Sequence, residues 1–323
     1  MSDSPRPLLR RAEIRLAMLG MVDGNGHPYS WSAIFNGYDR QAMASCPYPS
    51  IPQYLGTQDP AALRIPGARV THVWCDDRTD AENVARASLV PNVCERATDV
   101  IGEVDAVIVA TDKGHEHVER CRPFVEAGLP VFVDKPLLDN EPDLQVFHAW
   151  VQGGRPILST SAMRYAREFV EARRRLPEVG ELRCLSISTP KSWERYGIHA
   201  AEAMYPVVGP GFISARNTGS VERNIVHLKH RRGADVVVIA IADMYGGFCR
   251  MSVMGTKGAF ETAFADTFYA FKTQLEAFIS YLRTGVRPVP WEETVELMKI
   301  IIAGTRSREQ GGREVPLDEI SEG

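Results

Sequence analysis

Asp105-Ala106-Val107-Ile108-Val109-Ala110-Thr111 is a nearly unbroken apolar run, and Pro130-Val131-Phe132-Val133, just ahead of Asp134-Lys135-Pro136, is a second one further along the chain. A strand with no polar alternation is one buried on both faces, the condition of a parallel strand covered by helices. The residues between the two runs, 117–127, carry a helical pattern. Upstream, Ile14-Arg15-Leu16-Ala17-Met18-Leu19 reads as a strand, 70–75 as another, and 29–36 and 81–89 as helices. Strands therefore alternate with helices from residue 14 to 136, which predicts βαβ units in a doubly wound parallel sheet of the Rossmann type.

After Pro136 the pattern changes. Helices are expected over 141–151 and 167–176, then strands over 182–189, 221–230, 235–242 and 248–255. The turns Arg232-Gly233 and Gly246-Gly247 are short enough for antiparallel hairpins. Phe268, Phe271, Leu275, Phe278 and Leu282 then recur at helical spacing up to Gly285. We read residues 1–137 as a dinucleotide-binding α/β domain. Residues 138–323 read as an α+β domain with a large, mostly antiparallel sheet. Residues 38–66, with Pro47, Pro49, Pro52 and Pro60, read as an inserted loop or a short irregular helix.

The chain has 323 residues, 44% hydrophobic and 24% charged, with a formal net charge of -4. That balance is ordinary for a soluble protein, and without a basic patch it argues against nucleic acid as a partner. The tightest basic cluster, Arg173-Arg174-Arg175, falls on an expected helix as a solvated face. The six cysteines have no paired spacing, which argues against disulfides or zinc and for a reducing compartment. The polar stretch 1–11 is followed by no apolar signal core, and no apolar run approaches the ~20 residues of a membrane helix. A cytoplasmic protein is the expectation.

Four places carry chemistry. The first βα turn holds Gly20, Gly24, Asn25, Gly26 and His27. Glycine backbone and helix-end amides there can hold a pyrophosphate, although the third glycine of Gly-x-Gly-x-x-Gly is replaced by Tyr29. Asp76 and Asp77 end the second strand. A carboxylate at that point can accept the ribose hydroxyls and repel a 2′-phosphate; either aspartate can equally cap the next helix, and Arg78 could accept a phosphate. Thr111, Asp112 and His117 follow the strand over 105–110, at the edge where such sheets bind ligands. His115 and His117 have no third ligand at metal spacing. Asp134 and Lys135 end the next strand at the same edge. There the lysine can reach a substrate hydroxyl or stand as a surface residue at a hinge.

The run 104–111, His117, and the run from Glu126 through Val133-Asp134-Lys135-Pro136 resemble the glucose–fructose oxidoreductase / inositol dehydrogenase (Gfo/Idh/MocA) family. Arg164, Gly197-Ile198-His199, Gly255-Thr256-Lys257-Gly258 and Val315-Pro316-Leu317 extend the resemblance over nearly the whole chain after residue 14. It implies NAD as cofactor, with NADP as the alternative, a sugar or polyol as substrate, and a homo-oligomer. It further implies Lys135 as the lysine at the nicotinamide ribose and the reacting hydroxyl, and His199 as the acid/base. Arg164, Tyr196 and Glu202 are the substrate-side candidates. Three departures stand out. Asp134 replaces the glutamate of Glu-Lys-Pro. Arg195 stands where the family often has an aspartate, four residues before the histidine, with Glu194, Tyr196 or Glu202 as possible substitutes. The glycine loop is atypical and adds His27, Tyr29 and Trp31, which can stack on a ligand or pack against the insert.

The resemblance implies an NAD(P)-dependent oxidoreductase acting on a secondary hydroxyl of a sugar, cyclitol or related polyol. The Arg195 departure keeps two rivals open: a lyase or glycosidase-like enzyme using tightly held NAD for transient oxidation, and a dinucleotide-binding sensor without turnover.

Overall fold

The computed structural model describes residues 6–323; the first five residues of the polar N-terminal stretch lie outside the described residues. The first sheet is parallel throughout. Its strands are β1 (Ile14–Leu19), β2 (Ala68–Trp74), β3 (Asn92–Val93), β4 (Ala106–Val109), β5 (Val131–Val133) and β6 (Ile157–Leu158), in the order β3-β2-β1-β4-β5-β6. β4 and β5 are buried at every position, as their apolar runs require. The connections carry α1 (His27–Asn36), α5 (Arg78–Ala87), α6 (His117–Glu126) and α7 (Glu141–Gln152). The insert is neither loop nor single helix but three short helices, α2 (Arg40–Met43), α3 (Ser50–Gly56) and α4 (Pro60–Leu63). Asp39 and Asp59 cap α2 and α4, so the prolines interrupt the segment without abolishing helix. The sheet also runs past residue 137, since β6 pairs with β5.

The second half contributes α8 (Arg167–Arg174), α9 (Leu176–Val179), β7 (Leu182–Pro190), α10 (Trp193–Val208), β8 (Phe212–Asn217), β9 (Arg223–His230), β10 (Asp235–Ile241), β11 (Arg250–Gly255), β12 (Ala259–Ala263), α11 (Thr267–Thr284), α12 (Trp291–Glu309) and β13 (Val315–Pro316). Its sheet is mixed, in the order β12-β11-β7-β10-β9-β8-β13. β9 and β10 form the expected antiparallel hairpin through Arg232-Gly233. The hairpin expected at Gly246-Gly247 does not form. β7, nine residues long, lies between the two strands concerned, with β10 parallel on one edge and β11 antiparallel on the other. The 246–247 connection therefore crosses the end of β7.

α10 and α12 pack against this sheet, and Trp193 donates its indole N–H to Ile301 O at 2.9 Å. α11 instead returns to the first domain, burying Leu275, Phe278 and Leu282 in the same core as Leu16, Trp31 and Phe132. Among the described residues no helix is long and apolar enough to cross a membrane.

Candidate active site

The chemistry gathers where β4 and β5 end. Asp112 and Asp134 are fully buried there, and Lys135 is 3% exposed. The Lys135 ammonium lies 3.5 Å from Asp112 Oδ2 and 5.2 Å from the centre of the Tyr196 ring. Asp112 Oδ1 accepts from Arg195 Nη2 at 2.7 Å, and the same guanidinium donates to Asp23 O at 3.2 Å. Arg195 thus ties α10 to both the glycine loop and the strand edge. Asp134 Oδ1 accepts from the Lys135 amide at 2.7 Å, while Oδ2 accepts from Asn25 Nδ2 at 2.9 Å and meets His27 Nδ1 at 2.5 Å. Burial opposes the charge on Asp134, but His27, the Lys135 ammonium and Asn25 outweigh it and hold the carboxyl below the usual range.

His199 sits on α10, whose first turn is capped by Ser192. Its Nδ1 is 2.8 Å from Ser161 Oγ, and its ring meets those of Tyr196 and Phe248 edge-on at 4.9 and 5.3 Å. Burial, then the charges of Lys135, His27 and Lys191, push its pKa well below the ordinary histidine value, so the imidazole is neutral near pH 7. None of the three possible substitutes for the missing aspartate supports it with a carboxylate. Glu194 pairs with Arg308 at 2.5 Å, and Tyr196 accepts from Lys191 Nζ at 2.7 Å. Glu202 binds Arg164 at 2.5 Å and the Ser161 amide at 3.0 Å. Arg164 in turn reaches Glu293 at 2.7 Å and stacks over Tyr205. Arg164 and Glu202 are therefore an internal ion network; of the substrate-side candidates only Tyr196 lines the cleft.

That cleft, about 510 Å³, lies between the two sheets' helices. From the first domain Gly24, Asn25, Gly26, His27, Asp112 and Lys135 line it, and from the second Lys191, Tyr196, His199 and Phe248. Tyr48, Ser50, Ile51 and Tyr54 of the insert form another wall. These insert residues, and Lys191, were not anticipated. The available signal was two tyrosines within a proline-rich segment and a lysine just after a strand. Gly26 is required where α1 meets the insert, since a Cβ there would lie 2.6 Å from both Tyr48 and Ile51. Of the aromatic face, Tyr29 packs edge-on against Tyr48, and Trp31 is buried beneath His27 with ring centres 4.3 Å apart. Tyr29 and Trp31 are thus packing residues, and His27 remains at the cleft wall.

Toward the other end of the strand edge, Gly20 has φ +83°, and a Cβ there would sit 2.7 Å from the Thr111 methyl. Asp76 accepts two bonds from Arg120, at 3.1 and 2.9 Å. Asp77 caps α5 through the Thr79 amide at 2.7 Å. Arg78 is held by Glu82 and Glu95. His117 is buried, with Nδ1 on Leu137 O and Nε2 on Thr111 O, both at 3.0 Å; it braces the strand ends from beneath. His115 faces outward and pairs with Asp139. At the start of α1 the His27 amide is taken by Asn25 Oδ1 and the next residue is Pro28. The helix end therefore offers an anion fewer amides than a Gly-x-Gly-x-x-Gly turn does.

Residues 54–151 match the model of the Gfo/Idh/MocA oxidoreductase family, NAD-binding Rossmann fold. The match falls on the later part of the first domain and the helix after it, and there the chain is similar to that family. Inositol 2-dehydrogenase 4 of Saccharopolyspora erythraea is 34% identical over 120 residues, 35% of this chain and 34% of that one. The matched stretch spans about a third of the length of the curated relatives. Among solved structures, myo-inositol 2-dehydrogenase from Lactobacillus plantarum superposes with a TM-score of 0.74 at 16% identity, covering 94% of this chain and 99% of that one. GenD2 from gentamicin A biosynthesis, in complex with NAD, gives 0.72 at 15%, covering 98% and 99%. At such identities the likeness is one of fold, and it extends over both domains of the family architecture. The matched model describes an NAD-binding domain, and one feature of this site fits NAD. Asp112 Oδ2 is buried beside Lys135 with no hydrogen-bond partner, an acceptor for a hydroxyl such as that of the nicotinamide ribose.

Proposed function

We propose that this chain is an NAD-dependent oxidoreductase that interconverts a secondary hydroxyl and a ketone on a cyclitol, sugar or related polyol. The observation that carries the reading is the buried Lys135 ammonium at the strand edge, in one cleft with His199 and an Asp112 oxygen that accepts no hydrogen bond. NAD bound at that edge supplies the hydride acceptor. Thr111, Asp112 and Lys135 are assigned to its nicotinamide ribose, Gly20 and the Gly24–Asn25–Gly26 turn to its pyrophosphate, and Asp76 to its adenosine ribose. The Asp76 carboxylate, with Arg78 already held by two glutamates, favours NAD over NADP.

Lys135 binds the substrate oxygen and stabilises negative charge developing on it, because an ammonium in a dry site interacts strongly with an oxyanion. His199, neutral and fixed by Ser161, offers its other ring nitrogen to the substrate as a hydrogen-bonding group. Tyr196 carries both lysines on its face and hydroxyl, and so sets where their charges lie. The names of the inositol dehydrogenase relatives, together with the size and polarity of the cleft, support a cyclitol or similar polyol. The outward face of the second sheet, where Ile225 pairs with Ile239, supports self-association of the chain.

The test is NADH formation across a panel of inositol isomers and aldoses, with NAD and NADP compared. Steady NADH production with at least one polyol is expected. Product without net NADH would point to transient oxidation, and cofactor binding without turnover across the panel would point to a sensor.

A further inference from the structure

Two imidazoles face the cleft, and they are supported differently. His199 leans on a hydroxyl, Ser161 Oγ at 2.8 Å, and burial first, then the Lys135 and Lys191 ammonium groups, disfavour a proton on it. His27 leans on a carboxylate. Its Nδ1 is 2.5 Å from Asp134 Oδ2, across 107 residues of sequence, and Asp134 is fully buried. The same carboxylate is fixed by the Lys135 amide and by Asn25, whose own Oδ1 accepts from the His27 amide at 3.0 Å. The ring is stacked on Trp31 at 17° and met edge-on by Phe271 of α11 at 5.0 Å. One nitrogen is spoken for and the ring plane is fixed, while the residue lines the cleft beside Lys135. An imidazole held by a buried carboxylate on one nitrogen and open on the other is the arrangement that stabilises an imidazolium formed during proton transfer.

We propose that His27 is the catalytic proton acceptor of this cleft, with Asp134 as its positioning residue, and that His199 only hydrogen-bonds the substrate. The inference rests on the oxidoreductase reading. When a secondary alcohol is oxidised, its C–H bond breaks and the electron pair leaves as hydride to a nicotinamide dinucleotide. Its O–H bond breaks with the proton going to His27 Nε2, and the carbonyl forms; reduction runs the same transfers backward. Asp134 pairs with His27, and the other charged and titratable groups lining the cleft with it are Lys135 from the β5 end, Asp112 from the β4 end, Tyr48 and Tyr54 from the insert, and Tyr196, His199 and Lys191 from the second domain. Phe271 from α11 and Trp31 from its own helix are apolar neighbours.

Two measurements test it, each on the full chain with NAD added. Nitrogen-edited NMR of the histidine rings should show a far-downfield Nδ1 proton that is absent in both H27Q and D134N and retained in Ser161→Ala. In myo-inositol oxidation, or that of whichever panel polyol is turned over, H27Q should lose ~10²–10⁴-fold in kcat with little change in KM, together with the acidic limb of the pH profile. D134N, which keeps the size of the side chain, should lose the same limb and serves alone if H27Q does not fold. Full kcat and an unchanged pH profile in either variant would overturn the proposal, as would absence of the downfield proton in the wild type. If no polyol yields NADH, the catalytic assignment falls with the reading it rests on. If polyols are turned over while the limb survives H27Q, only the assignment falls.

Discussion

Two buried charge clusters stand about two turns of α10 apart, at Arg195 and Glu202, and look alike as chemistry. One joins Asp112, Lys135, Arg195, Asp134 and His27 at the strand edge; the other joins Arg164, Glu202 and Glu293 beneath it. In the second cluster every charge has an opposite partner, although Arg164 Nη2 is buried without a hydrogen-bond partner, and neither Arg164 nor Glu202 lines the cleft. In the first, one carboxylate oxygen has no hydrogen-bond partner, and Lys135, Asp112 and His27 all line the cavity. A network closed off from the cavity holds a fold together, whereas one whose members line it is placed to meet a ligand. Burial, charge and an unfilled valence do not separate the two, since each cluster has all three; access to the cavity does.

The largest effect that could break this contrast is on turnover. Lys135→Ala should lower kcat for polyol oxidation by ~10²–10⁴-fold. Urea unfolding of the same variant should show a far smaller change in stability than loss of a charge from the closed cluster. Glu202→Ala should do the reverse. Leaving the Arg164 guanidinium short of a buried partner costs about 3–5 kcal/mol, while activity per folded molecule changes little. A Glu202 variant that is stable but inactive would place that network back in the site.

The two clusters also differ in sign with pH. The Asp134 carboxyl is held below its usual range, so its contribution to stability is fully present above about pH 3.9 and is lost as pH falls through the lower folded value. Burial first, against the pull of Arg164, raises Glu202. Its contribution is therefore present below about pH 4.3 and lost as pH rises through the folded value. Urea midpoints measured from neutral to acid pH should fall less steeply in Asp134→Asn than in the wild type. Glu202→Gln should leave that acid slope in place. Equal slopes in all three chains would remove the distinction.

The sequence disclosed these regions unequally. β4 and β5 were legible because strands buried on both faces read as plain apolar runs, and their ends placed Asp112, Asp134 and Lys135 at the ligand edge. The two-residue strands β3 and β6 have no period to detect, which is why the first domain was ended at 137. α10 was missed as a helix because Gly197 and Pro206 interrupt its pattern, although Gly197 is there so that Trp193 can lie against the backbone, 2.6 Å from where a Cβ would be. Partners were the least legible of all. Asp134 was marked as a departure from Glu-Lys-Pro, but nothing local shows that it answers to His27, and Ser161 is 38 residues from the histidine it supports. Such pairings arise from tertiary folding, and one sequence gives only their members.

The adjacent aspartates at the β2 end repeat the contrast on a smaller scale. Asp77 has its carboxylate committed to the first turn of α5, and Asp76 stands beside Gly20 with Arg120. Asp77→Ala should therefore cost about 1 kcal/mol, the usual worth of an N-cap, and leave the NAD dissociation constant unchanged. Asp76→Ala should spare most of the stability, since the Asp76 carboxylate is itself exposed and pairs with an exposed partner are worth little. It should weaken NAD and narrow its preference over NADP, because the carboxylate that accepts the ribose hydroxyls and repels a 2′-phosphate is gone. Isothermal titration with both cofactors, alongside urea unfolding, separates the two. If the Asp77 variant loses NAD affinity while the Asp76 variant does not, the roles are exchanged, and the adenosine end of the site turns on the helix cap instead of the strand end.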